Sequence, residues 1–265
     1  MQAVCELYGY TRQAWYKQKR GELKRELDKQ RVLLNVRQIR KRQPRVGGKK
    51  LHRMLQAQDI DLGRDKLFDI LRENRLLVKP RKRYTKTTYS HHRFRKYKNL
   101  IREVDLTRPN QIYVSDITYI DTLEGFCYLA LITDKFSKKI VGWDLSNSLS
   151  IEGARRALKK ALARLDTTDG LIHHSDRGIQ YCSHKYVEDL ESRNIKISMT
   201  EENHCYENAV AERVNGILKT EFMLGDRLKS HAIAKELVAE AVKIYNEERL
   251  HLSLDYQTPA KKHAA

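Results

Sequence analysis

Apolar positions recur with helical spacing through residues 1–78 and change to strand spacing after about residue 110. Residues 3–18 predict two short helices around a turn: Val4 and Leu7 share a face, Gly9 marks the turn, and Thr11 suits the N-cap of residues 12–19. Residues 22–42 predict a third helix with Leu23, Leu27, Leu34 and Ile39 roughly in phase, stopped by Pro44 and Gly47-Gly48. A second helix pair follows. Residues 49–58 carry Leu51, Met54 and Leu55, the break falls at residues 61–64, and Asp65 is placed to cap a helix bearing Leu67, Phe68, Ile70 and Leu71.

Beyond residue 110, residues 112–120 alternate around a polar Ser115-Asp116 pair. Residues 126–133 are almost continuously apolar, and residues 140–145 form a third run after a short turn, which together predict an antiparallel meander. Helix 151–165, strand 170–173, helix 183–192, strand 195–198, helix 206–222 and an amphipathic helix over 232–245 complete the pattern. The expected class is α/β, a mixed five-stranded sheet flanked by helices and preceded by a basic, all-helical region. The expected division is residues 1–78 (helical, helix-turn-helix-like), residues 79–106 (a basic aromatic linker) and residues 107–265 (the sheet-bearing part with a C-terminal helix and tail).

Charge sharpens that division. The chain has 265 residues and a net charge of +18, and residues 1–100 hold 29 of its 52 Lys+Arg but 9 of its 34 Asp+Glu. An electropositive arm on a nearly neutral domain points to nucleic acid. Residues 79–99 add nine Lys+Arg and no acid, with Tyr84, Tyr89, Phe94 and Tyr97 interleaved. Such a segment reads as extended, its cations available to phosphates and its aromatics to packing or base stacking. No apolar run suits a membrane span or a signal peptide. Cys5, Cys127, Cys182 and Cys205 are scattered, which argues against a disulfide framework or a zinc module and fits a reducing cytoplasm.

Three acids stand out by context. Asp116 interrupts an apolar strand, Asp176 follows the fourth strand, and Glu212 lies on a helix with Gly216 and Lys219 on its stripe. A carboxylate in an apolar strand is costly unless it is paired or meets a cation. Hard divalent cations prefer such oxygens, and three carboxylates can hold two ions for in-line displacement at phosphorus. Asp121 and Asp134 fall in turns where capping is the expected role. Glu207 suits the dipole of its helix, and Glu221 a nearby cation.

The segments IYVSDITYI, DKFSKKIVGWDLS, IHHSDRGIQYCS, CYENAVAERVNGILKTE and YNEERLHLSLDYQTPA, in this order, resemble bacterial insertion-sequence transposases, in particular the second-frame product (OrfB) of the IS-three family. The resemblance covers residues 100–262 closely. It implies a retroviral-integrase-like, ribonuclease-H-like core in which Asp116, Asp176 and Glu212 form the DDE triad. It implies two Mg²⁺ ions, with Mn²⁺ as a substitute, and double-stranded DNA as substrate. Lys219 matches the basic residue that approaches DNA, while His174, Gln180 and Asn208 match blocks that support the site. Tyr113 departs from the tryptophan common in the family. Further DNA contacts are expected from Arg12, Lys49 and Arg64, from Arg81, Lys82 and Arg83, and from Arg213. A homo-oligomer on DNA and a first-frame partner or fusion are implied as well, since residues 22–42 offer no long heptad run. Two other readings stay open at this point: a non-catalytic DNA-binding regulator, and a nuclease acting on RNA–DNA hybrids.

Overall fold

The computed structural model describes residues 7, 9–79, 94–201 and 207–265, and its chain divides into two units, Met1–Pro80 and Arg81–Ala265. The first unit is helical: α1 (Arg12–Arg42), α2 (Gly48–Gln56) and α3 (Arg64–Glu73). Thr11 caps α1 as expected, its Oγ1 accepting from the Ala14 amide at 3.1 Å. The predicted break before residue 22 is absent, and α1 runs unbroken through Gly21. A single glycine costs only about 1 kcal/mol among strong helix formers, so it is absorbed. Residues 1–6 and 8, which include Val4, lie outside the described residues.

The buried face of α1 also differs from expectation. Val32, Leu33, Val36 and Ile39 pack with Leu51, Leu55, Leu67, Ile70 and Leu71, whereas Leu23, Leu27 and Leu34 are exposed. Periodicity finds both stripes and cannot choose between them; the tertiary partners do. Asp65 is not the cap of α3: Gly63 takes that place, and Asp65 pairs with Arg64 in the first turn.

The second unit is built on a sheet of order β3-β2-β1-β4-β5. Its strands are β1 (Ile112–Thr122), β2 (Gly125–Asp134), β3 (Ile140–Ser146), β4 (Ile172–Ser175) and β5 (Lys196–Met199). β1, β2 and β3 form the expected antiparallel meander, and β4 and β5 add in parallel beyond β1. The central β1 is therefore covered on both faces. On one face, Tyr113, Ala130 and Ile132 pack against α4 (Ile151–Leu162), α5 (Ile179–Cys182) and α6 (His184–Glu191). On the other, Ile120, Leu129 and Leu131 meet α7 (Ala209–Glu221) and α8 (His231–Glu247). The short α5, the 3₁₀ turn Leu252–Leu254 and the last helix α9 (Pro259–Ala264) have no counterpart in the sequence pattern. Tyr113 stays buried and donates its hydroxyl to Asn110 Oδ1 at 2.7 Å, so the aromatic position keeps its packing role.

The predicted linker is only partly accounted for as such. Residues 80–93, which include Tyr84 and Tyr89, lie outside the described residues. Phe94 and Tyr97 pack against the second unit, and Ile101 is buried with Ile112, Val114 and Ile172. The Leu100 amide donates to Ser198 Oγ at 2.9 Å. Burial of apolar surface outweighs the charge of the neighbouring cations here, so these two aromatics serve the core.

Small residues set the spacing between α4 and the sheet. A Cβ on Gly142 would overlap the Ala157 carbonyl oxygen and stand 2.8 Å from Ala161 Cβ. Gly142→Ala is therefore expected to destabilise the second unit by about 1–3 kcal/mol through overpacking, read as a lowered denaturation midpoint.

Asp134 closes the β2–β3 turn. Fully buried, it accepts from the Asn110 amide at 2.8 Å and from the Ser137 amide at 2.7 Å. Burial opposes its ionisation, but the hydrogen bonds from His263, Ser137 and Asn110 outweigh it and hold the carboxyl below its ordinary 3.8. The folded state thus binds fewer protons than the unfolded chain. This contribution is present above the ordinary value and is lost as pH falls through the folded one. Asp134→Asn is expected to flatten the fall in unfolding free energy below pH about 4, measured by urea titration at a series of pH values.

Candidate active site

Asp116 sits half-buried in the middle of β1, on the face met by α7. Its Oδ1 accepts from the Ile117 amide at 2.9 Å, and its Oδ2 accepts from Asn215 Nδ2 at 2.7 Å. Burial first, then Asp176, push the carboxyl up to about 7; Asn215 and the Ile117 amide oppose the shift, and Glu212 adds to it. Three acids far apart in sequence thus share one electrostatic neighbourhood.

Asp176 directly follows β4, at the strand end where α/β folds commonly place their chemistry. Its Oδ1 accepts from the Gly178 amide at 3.0 Å, an Asx turn that fixes the carboxylate. A Cβ on Gly178 would lie 3.0 Å from that oxygen, so glycine permits the close approach. Glu212 is exposed in the first turn of α7. Asn208 precedes α7 and is buried; its Nδ2 donates to the Ser115 carbonyl at 3.1 Å, while its own carbonyl accepts from the Glu212 amide at 3.1 Å. The helix bearing Glu212 is thereby tied to the strand bearing Asp116.

Lys219 lies half-buried on α7; burial lowers its pKa and the charge of Asp116 opposes the shift. Arg213 is exposed beside Glu212. Gly216, expected on the same stripe, is exposed with open space around it. Asn215 takes the inward position instead. The sequence reading missed it, although its place three residues after Glu212 puts the two on neighbouring parts of one helix surface.

The two histidines of β4 divide between the faces of the sheet. His174 is fully buried, and its Nδ1 meets Ser198 Oγ at 2.8 Å, joining β4 to β5. Burial and then Lys135 depress it to about 4. His173 Nε2 lies 2.7 Å from Ser115 Oγ and 3.0 Å from Tyr186 OH, directly beneath the residue next to Asp116. Gln180 is buried and donates to the Leu149 carbonyl at 3.1 Å, fixing the loop between β3 and α4.

The rival acids are engaged elsewhere. Asp134 closes a turn, Glu207 pairs with Arg102 and accepts from the Glu201 amide, Asp121 lies 3.6 Å from Arg227, and Glu221 binds Arg249. In the first unit, Arg12, Lys49 and Arg64 are exposed. Arg81, Lys82 and Arg83 lie outside the described residues.

Among the described residues, no three carboxylate, histidine or cysteine side chains are gathered closely enough to hold a metal ion. The donor chemistry nevertheless fits a hard divalent cation. All three groups offer carboxylate oxygens, and a cation there would offset the burial and the neighbouring negative charges that raise Asp116. The arrangement combines electrostatic coupling, two carboxylates held by hydrogen bonds and a third at the rim. Among the described residues, no helix is long and apolar enough to cross a membrane.

Comparison with known proteins bears on the fold and the family. One integrase core domain model matches residues 107–205, and a second matches residues 193–259. The insertion element IS600 31 kDa protein of Shigella sonnei is 33% identical over 262 residues, covering 97% of this chain and 96% of that protein. The transposase InsF for insertion sequence IS3A of Escherichia coli is 29% identical over 257 residues, covering 95% of this chain and 89% of that protein. A simian T-cell lymphotropic virus intasome chain superposes with a TM-score of 0.53 at 18% identity, covering 83% of this chain and 71% of that one, a likeness of fold. The sheet and its helices are those of the ribonuclease-H-like integrase fold, and the chain belongs to the insertion-sequence transposases of the DDE type, polynucleotidyl transferases built on an integrase core.

Proposed function

We propose that this transposase cleaves DNA at the ends of its insertion sequence and joins the freed 3′ ends to a target, using Asp116, Asp176 and Glu212 as its catalytic acids. The observation that carries the reading is the placement of Asp116 on β1, Asp176 at the end of β4 and Glu212 on α7, the helix that Asn208 and Asn215 tie to β1. They would hold magnesium, two ions in the expected arrangement, with manganese able to substitute. Bound there, the metal supplies Lewis-acid stabilisation of the phosphoryl oxygens and a more acidic attacking water or hydroxyl.

The chain's own groups do the positioning. Asn215 and the Ile117 amide fix both oxygens of Asp116, and the Gly178 amide fixes one oxygen of Asp176. Asn208 holds α7 to β1, while His174 and Gln180 brace the strand and loop around the acids. Lys219 and Arg213, on the helix of Glu212, are assigned to the DNA backbone near the scissile phosphate. Arg12, Lys49 and Arg64, with Arg81, Lys82 and Arg83, are assigned to phosphates farther along the duplex. Residues 1–78 would then dock double-stranded DNA while residues 107–265 carry the chemistry, acting as a homo-oligomer on paired ends in the cytoplasm, with a first-frame partner or fusion where end recognition requires one.

The test is a strand-cleavage and strand-transfer assay on duplexes carrying the element's ends, with magnesium, the chain alone and the chain beside its first-frame product. The expected result is nicked ends and joined products that disappear on chelation. Binding that ignores magnesium, with no nicking in either setting, would identify a regulator instead. Preferential cutting of RNA–DNA hybrids would identify a hybrid nuclease.

A further inference from the structure

α1 carries two apolar stripes, and one of them is exposed among the described residues. Val32, Leu33, Val36 and Ile39 face α2 and α3. Tyr16, Leu23, Leu27 and Leu34 are instead 43%, 63%, 61% and 58% exposed. At about 100° per residue, these four positions fall within about 40° of one another and nearly opposite the buried four. No residue from 12 to 31 is buried, whereas most helices in proteins draw their stability from packing an amphipathic face. A soluble domain that presents a row of leucines on such a helix has a surface made for contact.

The geometry and charge of the stripe restrict what fits it. Its positions are separated by seven, four and seven residues, the spacing of a heptad seam. A band this narrow matches the contact line of two packed helices rather than the broad face of a helix lying on a bilayer. Lys19 and Arg37 border one side, Arg20, Lys24 and Arg31 border the other, and Glu26 is the acid at the margin. Pairing with a second copy of α1 would set these cations against one another, which flanking positions of a coiled coil do not favour. We propose that the outer stripe of α1 is the docking seam for an amphipathic helix with an apolar ridge and acidic flanks, supplied by a protein partner. Complementary charge sets the choice of partner and its register, and the leucines supply the buried area.

The experiment uses the full chain and a labelled peptide of four heptads, with leucine along the ridge and glutamate at the flanking positions, followed by fluorescence anisotropy. Saturable binding is expected, weakening as salt rises. The double variant Leu23→Ala, Leu27→Ala should bind at least about tenfold more weakly, with an unchanged circular dichroism melt because both side chains are exposed and alanine is a strong helix former. A second variant, Arg20→Glu with Arg31→Glu, keeps the leucines and should shift preference toward a lysine-flanked peptide. Equal binding of both peptides by the unaltered chain, or undiminished binding by the leucine variant, overturns the proposal. So does a dimer in sedimentation that the leucine variant dissolves, or duplex-DNA or anionic-vesicle binding lost in that variant.

Discussion

Asp176→Asn is expected to lose strand cleavage and joining by about two to three orders of magnitude or more, the scale on which removing one charge-stabilising group acts. The substitution is nearly isosteric, and the amide oxygen can still accept from the Gly178 amide, which holds the present carboxylate at 3.0 Å. What disappears is the negative charge. Without it the repulsion on Asp116 falls, and the donor set for a hard cation loses one anionic ligand. Calorimetric titration with magnesium should therefore show weakened uptake, while gel-shift affinity for end duplexes, assigned to other residues, stays close to that of the unaltered chain. A variant that cuts and joins at the original rate removes Asp176 from the triad.

Glu221→Ala should act on stability. Arg249 is 4% exposed and donates from Nε and Nη2 to the two oxygens of Glu221, at 3.0 and 2.8 Å. Removing the carboxylate leaves a buried guanidinium without its counter-charge, a loss of about 3–5 kcal/mol. For a unit of this size that lowers the thermal midpoint by roughly 10 °C. Replacing both partners with methionine should recover much of the loss, because a well-packed apolar pair avoids desolvating two charges. Calorimetry of the single and double variants decides. A single variant that melts normally would refute the structural role and return Glu221 to the set of candidate acids.

The parts of the fold legible in the sequence were those where one physical signal had one solution. Strands β1 to β3 alternate or run apolar between clear turns, and their antiparallel pairing follows from the short links. The capping role expected of Asp134 follows from its place in a turn, and the structure finds it there. α1 was harder because two stripes compete. Its leucines are the better helix formers, but its β-branched face meets α2 and α3. Phe94 and Tyr97 read as extended aromatics because sequence alone does not reveal the groove that receives them. In the proposed site, Asp116, Asp176 and Glu212 were singled out by their contexts in the sequence. Asn215 was not, since an asparagine inside a helix carries no sign of its partner until β1 is placed beneath it.

The double attachment of α7 to β1 bears on how quickly the site can change state. Asn208 and Asn215 fasten the helix to Ser115 and Asp116 on adjacent positions of one strand, and Glu212 lies between the two fastenings. The helix cannot roll or slide without breaking one of them. For the proposed triad, gathering the three acids would then be a matter of torsions in the exposed Glu212 side chain. Such rotations take picoseconds to nanoseconds, whereas domain closure takes about microseconds to milliseconds. Backbone amides of β1 and α7 should accordingly keep the same hydrogen-exchange protection before and after the site is loaded, and the slow events of a transposition cycle would lie in bringing DNA ends together.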